Sequence, residues 1–307
     1  VDLSTDGCSE CLTTILADIK SCCTEWQGWR YLATSCWIRY EATPFLQNLN
    51  GTYTEIIRNN CSASTFPPNN LAKTESNLNN LLSNLTVEAK TSGFYNTTAG
   101  ESPDQLYGLA LCRGDLPPPS NECNTCLSKA AETIAGDCPN STEGIKWYEK
   151  CLMRYSNQNF FGVVDLAGQT LCGVEQVSEA ASDATIKLAT SLVASAANNP
   201  LMVAAEEEAV SSSLSSYVLV QCTRDLSSEG CKNCLENGLG EVGPKCKQTN
   251  GWRYLSGSCT LRYEDFAFFN KATIPSAGPP PIASLTNEGG EIFCCSNLIV
   301  ASNLIKC

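Results

Sequence analysis

The chain of 307 residues is acidic, with 32 Asp and Glu residues against 20 Lys and Arg residues and a formal net charge of −12. This charge makes nucleic acids and anionic membranes poor partners, because binding to phosphate needs a basic surface. The chain has no histidine, which removes the commonest general base, the Ser-His and Cys-His nucleophile systems and the common zinc-hydrolase sites. We therefore expect a protein that is not an enzyme and that needs no cofactor.

The 20 cysteines repeat at a fixed spacing. Four cysteines separated by steps of 3, 12 and 13 residues occur three times along the chain. The three sets are Cys8, Cys11, Cys23 and Cys36; Cys123, Cys126, Cys138 and Cys151; and Cys231, Cys234, Cys246 and Cys259. Two further cysteines precede each of the last two sets, namely Cys61 and Cys112, and Cys172 and Cys222. This periodicity indicates one small cysteine-framed repeat that is used three times.

The predicted elements follow the repeats in chain order. Each C-x2-C pair precedes a helical pattern, as in CLTTILADIKSC and CLSKAAETIAGDC, and each repeat ends with sequences such as WRYLATSCWIRYE or WRYLSGSCTLRYE that alternate like paired antiparallel strands. Amphipathic helices are predicted at 71–90 and 184–199, and each is followed by a β-rich segment that ends at a cysteine, QLYGLALC or SSYVLVQC. The acidic run at 206–208 predicts the solvated end of a helix.

These elements divide the chain into two complete repeats and two partial ones. The predicted segments are 1–50, the C-terminal half of a repeat; 53–167 and 168–274, two complete repeats; 275–284, a linker rich in Pro and Gly; and 285–307, the N-terminal part of a further repeat. The last segment is expected to be completed by 1–50 of the same or a neighbouring chain.

The ordered, even sets of cysteines indicate an oxidising compartment. The C-x2-C pairs are also typical of zinc ribbons, but zinc would leave the upstream cysteines of each repeat idle, so we expect no metal. Five N-x-S/T sequons support secretion, at Asn50, Asn60, Asn84, Asn96 and Asn140. No apolar run reaches the ~18 residues that span a bilayer. The start of the chain is not a signal peptide, so a mature chain or a fragment is expected.

Two stretches together carry a resemblance to a known family. They are FYNTTAGESPDQLYGLALCRGDL and QCTRDLSSEGCKNCLENGLGEVGPKCKQTNGWRYLSGSCTLRYE, with a C-x8-C-x2-C core and a GWRYL…C…RYE ending. The chain resembles the plant ginkbilobin-like, or stress-antifungal, domain of secreted cysteine-rich repeat proteins, plasmodesmata-located proteins and cysteine-rich receptor-like kinases. The resemblance implies an α+β fold in which each domain packs a five-stranded antiparallel sheet against two helices.

The resemblance also implies three disulfides in each complete domain. They are Cys61–Cys138, Cys112–Cys123 and Cys126–Cys151, and then Cys172–Cys246, Cys222–Cys231 and Cys234–Cys259. The N-terminal block holds five cysteines and the C-terminal block three, so full oxidation requires at least one bridge between the two ends. We expect Cys11–Cys36, Cys8–Cys307, and bridges from Cys22 and Cys23 to Cys294 and Cys295.

Founding members of the family bind mannose through an Asn just after the first cysteine, an Arg six residues before the last cysteine and a Glu five residues after it. The matching candidates are Arg253 and Glu264 in the last complete repeat, and Arg30, Glu41 and Asn297 in the divided one. In the last complete repeat Gly173 replaces the Asn, and the middle repeat has Ile145 and Ser156 instead of the Arg and Glu. The alternative is that each Arg and Glu form a structural pair between neighbouring strands.

Two classes of function follow from these patterns. The first is a secreted recognition module of the plant apoplast or cell wall that binds mannose-type glycans, cell-wall polysaccharide or a partner ectodomain in defence. The second is a structural subunit that shares domains head to tail in an assembly or fibre. An ectodomain fragment of a receptor-like kinase or plasmodesmata-located protein is a further alternative.

Overall fold

The computed structural model of the protein describes residues 4–22, 28–33, 35–41, 56–211 and 214–274. The chain divides into two compact units, Val1–Glu55 and Ile56–Cys307. The predicted linker at 275–284 and the segment 285–307 lie outside the described residues. Among the helices that the structure describes, none is long and apolar enough to cross a membrane.

The N-terminal unit consists of one helix and one strand pair in its described part. Helix α1 spans Thr5–Cys22, and the strands β1 (Gly28–Leu32) and β2 (Trp37–Glu41) pair in antiparallel register. A disulfide joins Cys11 in the helix to Cys36, the residue directly before β2. This arrangement of helix and hairpin is the one predicted for the second half of each repeat.

The second unit contains two modules with the same order of elements. The first module consists of β3 (Ile56–Cys61), α2 (Leu71–Ser92), β4 (Phe94–Ala99), β5 (Leu106–Cys112), α3 (Asn121–Asp137), β6 (Glu143–Tyr148) and β7 (Cys151–Ser156). The second module consists of β8 (Gly168–Cys172), α4 (Glu179–Ala197), β9 (Val203–Ala209), β10 (Ser215–Cys222), α5 (Ser228–Lys245), β11 (Gly251–Ser256) and β12 (Cys259–Glu264). The antiparallel sheets have the equivalent orders β3-β6-β7-β5-β4 and β8-β11-β12-β10-β9.

The helices that carry the C-x2-C pairs begin earlier than predicted. The prediction placed each helix after its cysteine pair, whereas α3 and α5 include both cysteines. The reason is the residue that caps each helix: the side chain of Ser120 accepts a hydrogen bond from Cys123 N, and that of Ser227 accepts one from Gly230 N. The cysteines therefore project from the first turns of a helix that is already formed.

The acidic run at 206–208 was wrongly predicted to end a helix. Glu206, Glu207 and Glu208 lie in β9, which is an edge strand of the second sheet. Charged side chains on an edge strand oppose pairing with another chain. Three consecutive glutamates are compatible with β9 because its C-terminal half is exposed rather than packed against the core.

The two sheets lie between two layers of helices. Alternate side chains of β5 serve the two sides of its sheet: Leu106 and Ala110 pack in the cluster with α2, whereas Leu109 and Leu111 pack in a second cluster. That second cluster also contains Leu255 of the second module. Each sheet therefore has its helices on one face and the other sheet on the opposite face.

The structure contains seven disulfides among its described residues. Besides Cys11–Cys36, they are Cys61–Cys138, Cys112–Cys123, Cys126–Cys151, Cys172–Cys246, Cys222–Cys231 and Cys234–Cys259. Cys8 is exposed and has no disulfide partner among the described residues, and its predicted partner Cys307 lies outside them. The bridges predicted for Cys22 and Cys23 also depend on cysteines outside the described residues, Cys294 and Cys295.

We expect the second module to depend more on its long-range disulfide than on its short-range one. The bridge Cys172–Cys246 spans 74 residues and Cys222–Cys231 spans 9. Because the longer loop restricts the unfolded chain more, the Cys172→Ala/Cys246→Ala variant should lose about 2 kcal/mol more than the Cys222→Ala/Cys231→Ala variant. Urea unfolding of both double variants measures the difference. An equal loss, or a larger loss from the short loop, would contradict the prediction.

Candidate functional site

The two residues predicted to bind sugar in the second module lie next to each other. Backbone pairing places Arg253 opposite Arg262 and Gly251 opposite Glu264, so that Arg253 and Glu264 lie diagonally across β11 and β12. Nε and Nη2 of Arg253 donate to Oε1 of Glu264 at 3.2 and 2.9 Å. The structure therefore brings the two residues together as an ion pair between neighbouring strands.

A carboxylate of the first module completes this pair. Glu149 lies between β6 and β7, and its Oε1 accepts a hydrogen bond from Nη1 of Arg253. Its Oε2 accepts from Nη1 of Arg262 at 2.6 Å, and Nε of Arg262 donates to Oε1 of Glu264 at 2.8 Å. Two guanidinium groups and two carboxylates thus form a closed ring, called here the Arg–Glu ring (Glu149, Arg253, Arg262 and Glu264).

The four charged side chains of the ring are largely buried, and they lie close enough to affect each other's ionisation. The four side chains are between 12 and 19% exposed. Burial raises the pKa of Glu149, but the charges of Arg262 and Arg253 together lower it by more than burial raises it. The pKa therefore lies below its usual value. For Arg253, burial lowers the pKa, and Glu149 and Glu264 raise it by more than burial lowers it. Glu149 and Arg253 therefore depend on their charged neighbours to remain ionised away from water.

An aromatic ring that follows β12 extends the cluster. The guanidinium of Arg262 lies 3.9 Å from the ring centre of Phe268, and that of Arg113 lies 5.7 Å from it. Arg113 also donates to both carboxylate oxygens of Asp115, at 2.6 and 3.0 Å, and to the carbonyl oxygen of Phe268 at 2.8 Å. Phe268 is therefore held by one cation from each module.

The first module uses the equivalent residues in a different way. Arg154, the counterpart of Arg262, lies 4.3 Å from the ring centre of Phe160 and 3.3 Å from Asp165. The counterpart of Glu149 is Gly257, two residues before the equivalent cysteine. A Cβ atom on Gly257 would lie 2.3 Å from Nη1 of Arg154. The ring is therefore formed only once, although both modules keep the Arg–Phe contact.

Hydrogen bonds between the modules fix their relative position. Nε1 of Trp147 donates to the carbonyl oxygen of Ser256 at 3.0 Å. Nε2 of Gln221 donates to the carbonyl oxygen of Cys112 at 2.9 Å, and its Oε1 accepts from Gly114 N at 3.0 Å. These groups are buried, so a shift between the modules would leave them without partners.

The space that remains beside the ring is too small for a sugar. The cavity has a volume of about 70 Å³ and is lined by Glu149, Arg253, Arg262, Phe268 and apolar side chains of both sheets. Ligand sites usually enclose roughly 300 to 1,000 Å³. With the modules in this arrangement, the cavity therefore leaves no room for a hexose beside Arg253.

The remaining sugar-binding candidates are placed differently. A Cβ atom on Gly173 would lie 2.5 Å from Oδ1 of Asn250 and 2.9 Å from Gly251 N, so an Asn side chain does not fit there. In the N-terminal unit, β1 and β2 place Gly28 opposite Glu41 and Arg30 opposite Arg39, which is the register of the second module. Asn297 lies outside the described residues.

Glycosylation was predicted at five asparagines, whereas no metal site and no catalytic site was expected. Asn60, Asn84 and Asn140 are exposed and Asn96 is half-buried, while Asn50 lies outside the described residues. Among the described residues, no group of three His, Cys, Asp or Glu side chains could hold a metal ion. The two glutamates of the ring are bound by arginine, so neither is poised as a general acid or base.

The sequence predicted two members of the Arg–Glu ring, Arg253 and Glu264, but not Glu149 and Arg262. One signal was present: a Phe-Phe pair begins six residues after Arg154 and again six residues after Arg262. This repetition of an arginine and an aromatic pair could have indicated a contact shared by both modules. Glu149 has no such signal, because the second module has glycine at the equivalent position.

Comparison with known proteins agrees with this architecture. The family described as "Salt stress response/antifungal" matches residues 60–158 and 172–266. Cysteine-rich repeat secretory protein 38 of Arabidopsis thaliana is 40% identical over 204 residues, which cover 64% of this chain and 79% of that protein. The antimicrobial ginkbilobin-2-like protein of Castanea crenata is 37% identical over 195 residues, which cover 62% and 80%.

Matches to larger proteins are confined to part of their length. Cysteine-rich receptor-like protein kinase 8 of Arabidopsis thaliana is 33% identical over 228 residues, which cover 71% of this chain but only 33% of the kinase.

The crystal structures of two tandem DUF26 ectodomains from the same plant, those of PDLP8 and PDLP5, match with TM-scores of 0.60 and 0.56 at 23% and 27% identity. Each match covers 69% of this chain and at least 99% of the ectodomain. The predicted α+β fold is confirmed.

We expect Glu149→Gln to weaken the contact between the modules strongly. The variant leaves Arg253 and Arg262 buried with one carboxylate between them, which should cost roughly 3 kcal/mol of unfolding free energy. The matched control is Glu122→Gln, since Glu122 pairs with Lys150 but is 49% exposed, and such surface pairs contribute about 1 kcal/mol or less. Urea unfolding followed by tryptophan fluorescence compares them; equal losses would contradict a structural role for the ring.

Acid should remove the contribution of Glu149. Because its pKa is lower in the folded protein than the usual 4.5, the stabilisation is fully present above that value and is lost as the pH falls through the lower folded pKa. The difference in melting temperature between the native protein and Glu149→Gln should therefore narrow below about pH 4.5. Thermal unfolding from pH 7 to pH 3 measures it, and a gap that stays constant over this range would contradict the assignment.

Proposed function

We propose that this chain, which belongs to the Salt stress response/antifungal family, is a secreted recognition protein without catalytic activity that acts in plant defence or stress responses at the cell wall. The observation that carries the proposal is the Arg–Glu ring, which holds two complete modules against each other through their sheets. The outer faces of both modules then form one surface of fixed geometry. Such a surface is suited to binding a partner larger than a single sugar.

The hydrogen bonds of the ring argue against mannose as a ligand of Arg253 and Glu264. Arg253 directs Nε, Nη1 and Nη2 to carboxylates. A mannose hydroxyl would have to displace an ionised group from a buried arginine, which is unfavourable because a charge-assisted hydrogen bond is stronger than a neutral one. We therefore assign Arg253 and Glu264 to docking of the modules, and ligand binding to the exposed surface.

Two further observations support the proposal. The chain lacks histidine, and two relatives that it matches over 79% and 80% of their length carry the names of a secretory and an antimicrobial protein. The net charge of −12 favours a neutral polysaccharide or a basic protein surface over an acidic one. The head-to-tail assembly remains a prediction, because it depends on residues 285–307.

The proposal can be tested with purified full-length protein applied to growing fungal hyphae and to isolated cell-wall polysaccharide. The native protein should bind the wall or slow growth, and the Glu122→Gln control should act equally. Glu149→Gln should lose most of the effect at temperatures where its modules separate. If the native protein neither binds wall material nor affects growth, the defence role is wrong, and turnover of a wall substrate would contradict the absence of catalysis.

A second candidate function is carbohydrate binding in the N-terminal unit. The backbone register there places Arg30 and Glu41 as Arg253 and Glu264 are placed in the second module. Glu149 belongs to the first module, and its carboxylate is already used by Arg253 and Arg262. Arg30 and Glu41 are therefore the better candidates for mannose.

We expect any binding of mannose to depend on Arg30 rather than on Arg253. Calorimetric titration of the full chain with mannose and mannan should show a loss of at least about tenfold in affinity for Arg30→Gln, equivalent to about 1.4 kcal/mol. Arg253→Gln should retain the native affinity at temperatures where circular dichroism shows that it is folded. The opposite pattern would return the sugar site to the second module.

A further inference from the structure

The loop after α3 in the first module presents one sequon in an unusual backbone conformation. Asn140 has a φ angle of 58°, which is the left-handed region that asparagine tolerates better than most residues. Its side chain is exposed and forms no hydrogen bond with the residues that the structure describes. Ser141 and Thr142 complete the N-x-T sequon, so the amide is free to be modified.

A cavity of about 290 Å³ opens beside this asparagine. Part of its wall is apolar, with Phe66, Leu71, Leu78 and Pro139, and the rest is polar and includes the exposed residues Glu75 and Asn79. The backbone holds Phe66 close to the asparagine, because Phe66 N donates to the carbonyl oxygen of Asn140 at 2.9 Å. The volume lies close to the lower limit of small-ligand sites, roughly 300 Å³.

The second module has the same loop with different side chains. Gln248, the counterpart of Asn140, has a φ angle of 60°, and Val177 N donates to its carbonyl oxygen at 2.8 Å. Ser182 replaces Leu71, and its hydroxyl accepts a hydrogen bond from Gln248 N at 3.3 Å. The backbone conformation is therefore a property of the fold. The sequon and the apolar lining at Leu71 are particular to the first module.

We propose that Asn140 carries an N-linked glycan whose first N-acetylglucosamine packs in this cavity. The C–H face of the pyranose ring would lie against Phe66 and Pro139, and its hydroxyl and acetamide groups would face Glu75 and Asn79. The sugar then covers apolar surface that is otherwise open to water. This glycan is thus a structural part of the first module rather than a solvated appendage.

The modification itself follows the usual chemistry of a sequon. A bond forms between Nδ2 of Asn140 and the anomeric carbon of the sugar. The bond from that carbon to the pyrophosphate oxygen of a lipid-linked oligosaccharide donor breaks. The lipid pyrophosphate leaves with the electron pair of that bond, and the amide loses one proton. No oxidant or reductant is involved.

The other sequons of the described residues provide controls. Asn84 is exposed on α2 and does not line the cavity. Asn60 and Asn96 lie on β3 and β4, which are the two edge strands of the first sheet. Neither asparagine lines the cavity, so removal of a glycan at either position should not change the packing of α2 against the loop.

The test uses the full chain secreted from a eukaryotic cell, with its glycans trimmed enzymatically to a single N-acetylglucosamine. Peptide mass spectrometry should find Asn140 occupied. Asn140→Gln, which places in the loop the residue of the second module, should lower the melting temperature by about 2–4 °C. Complete enzymatic removal of the glycans should lower it equally, and Asn84→Gln should leave it unchanged. An unoccupied Asn140, or equal effects of Asn140→Gln and Asn84→Gln, would overturn the proposal.

A second variant separates packing of the sugar from an effect of the asparagine itself. Leu71→Ser introduces the residue of the second module at a partly exposed position, so the variant should fold. In this background, removal of the single N-acetylglucosamine should no longer change the melting temperature, because one apolar wall of its cavity is missing. A glycan-dependent shift that persists in full in Leu71→Ser would show that the sugar does not occupy the cavity.

Discussion

The arrangement of the two modules depends on one carboxylate, that of Glu149, which lies between two arginines of the other module. Removing charges from water is costly, and burial is tolerated here because each guanidinium meets a carboxylate with suitable geometry. The net stabilisation from such a cluster is small, but a wrong alignment would leave buried charges without partners. We therefore attribute to the ring the selection of one docking geometry, while the apolar side chains of both sheets supply most of the free energy.

Duplication of the fold explains why this contact is asymmetric. Ile145 of the first module is equivalent to Arg253 of the second, and Glu149 is equivalent to Gly257. The first module therefore has a carboxylate at a position where the second has no side chain. Both modules keep an arginine against a phenylalanine. A sheet that faces another sheet needs an apolar surface on that face, and this is why β5 is buried along nearly its whole length. The two modules are consequently suited to work as a pair.

Most of the elements could be predicted from the sequence, whereas the contacts between the modules could not. The helix predicted at 71–90 is observed as Leu71–Ser92, because its apolar residues recur at helical spacing and Gly93 ends it in a left-handed conformation. The Arg253–Glu264 pair could be expected from strand register. The role of Glu149 could not, since its partners are more than 100 residues away in the chain and a single turn residue leaves no periodic signal. The prediction for the run at 206–208 was wrong for a related reason, because an exposed edge strand lacks the apolar alternation that distinguishes a strand from a helix.

The distribution of covalent bonds adds a consequence for function. In the described part of the second unit, every disulfide joins two cysteines of the same module. Covalent bonds therefore stabilise each fold but do not hold the modules together, and docking depends on apolar contact, hydrogen bonds and the Arg–Glu ring. Acid protonates glutamate, and it can weaken docking while the disulfides stay intact. The relative position of the modules, and with it the shape of the exposed surface, is therefore more sensitive to acid than the fold of each module is.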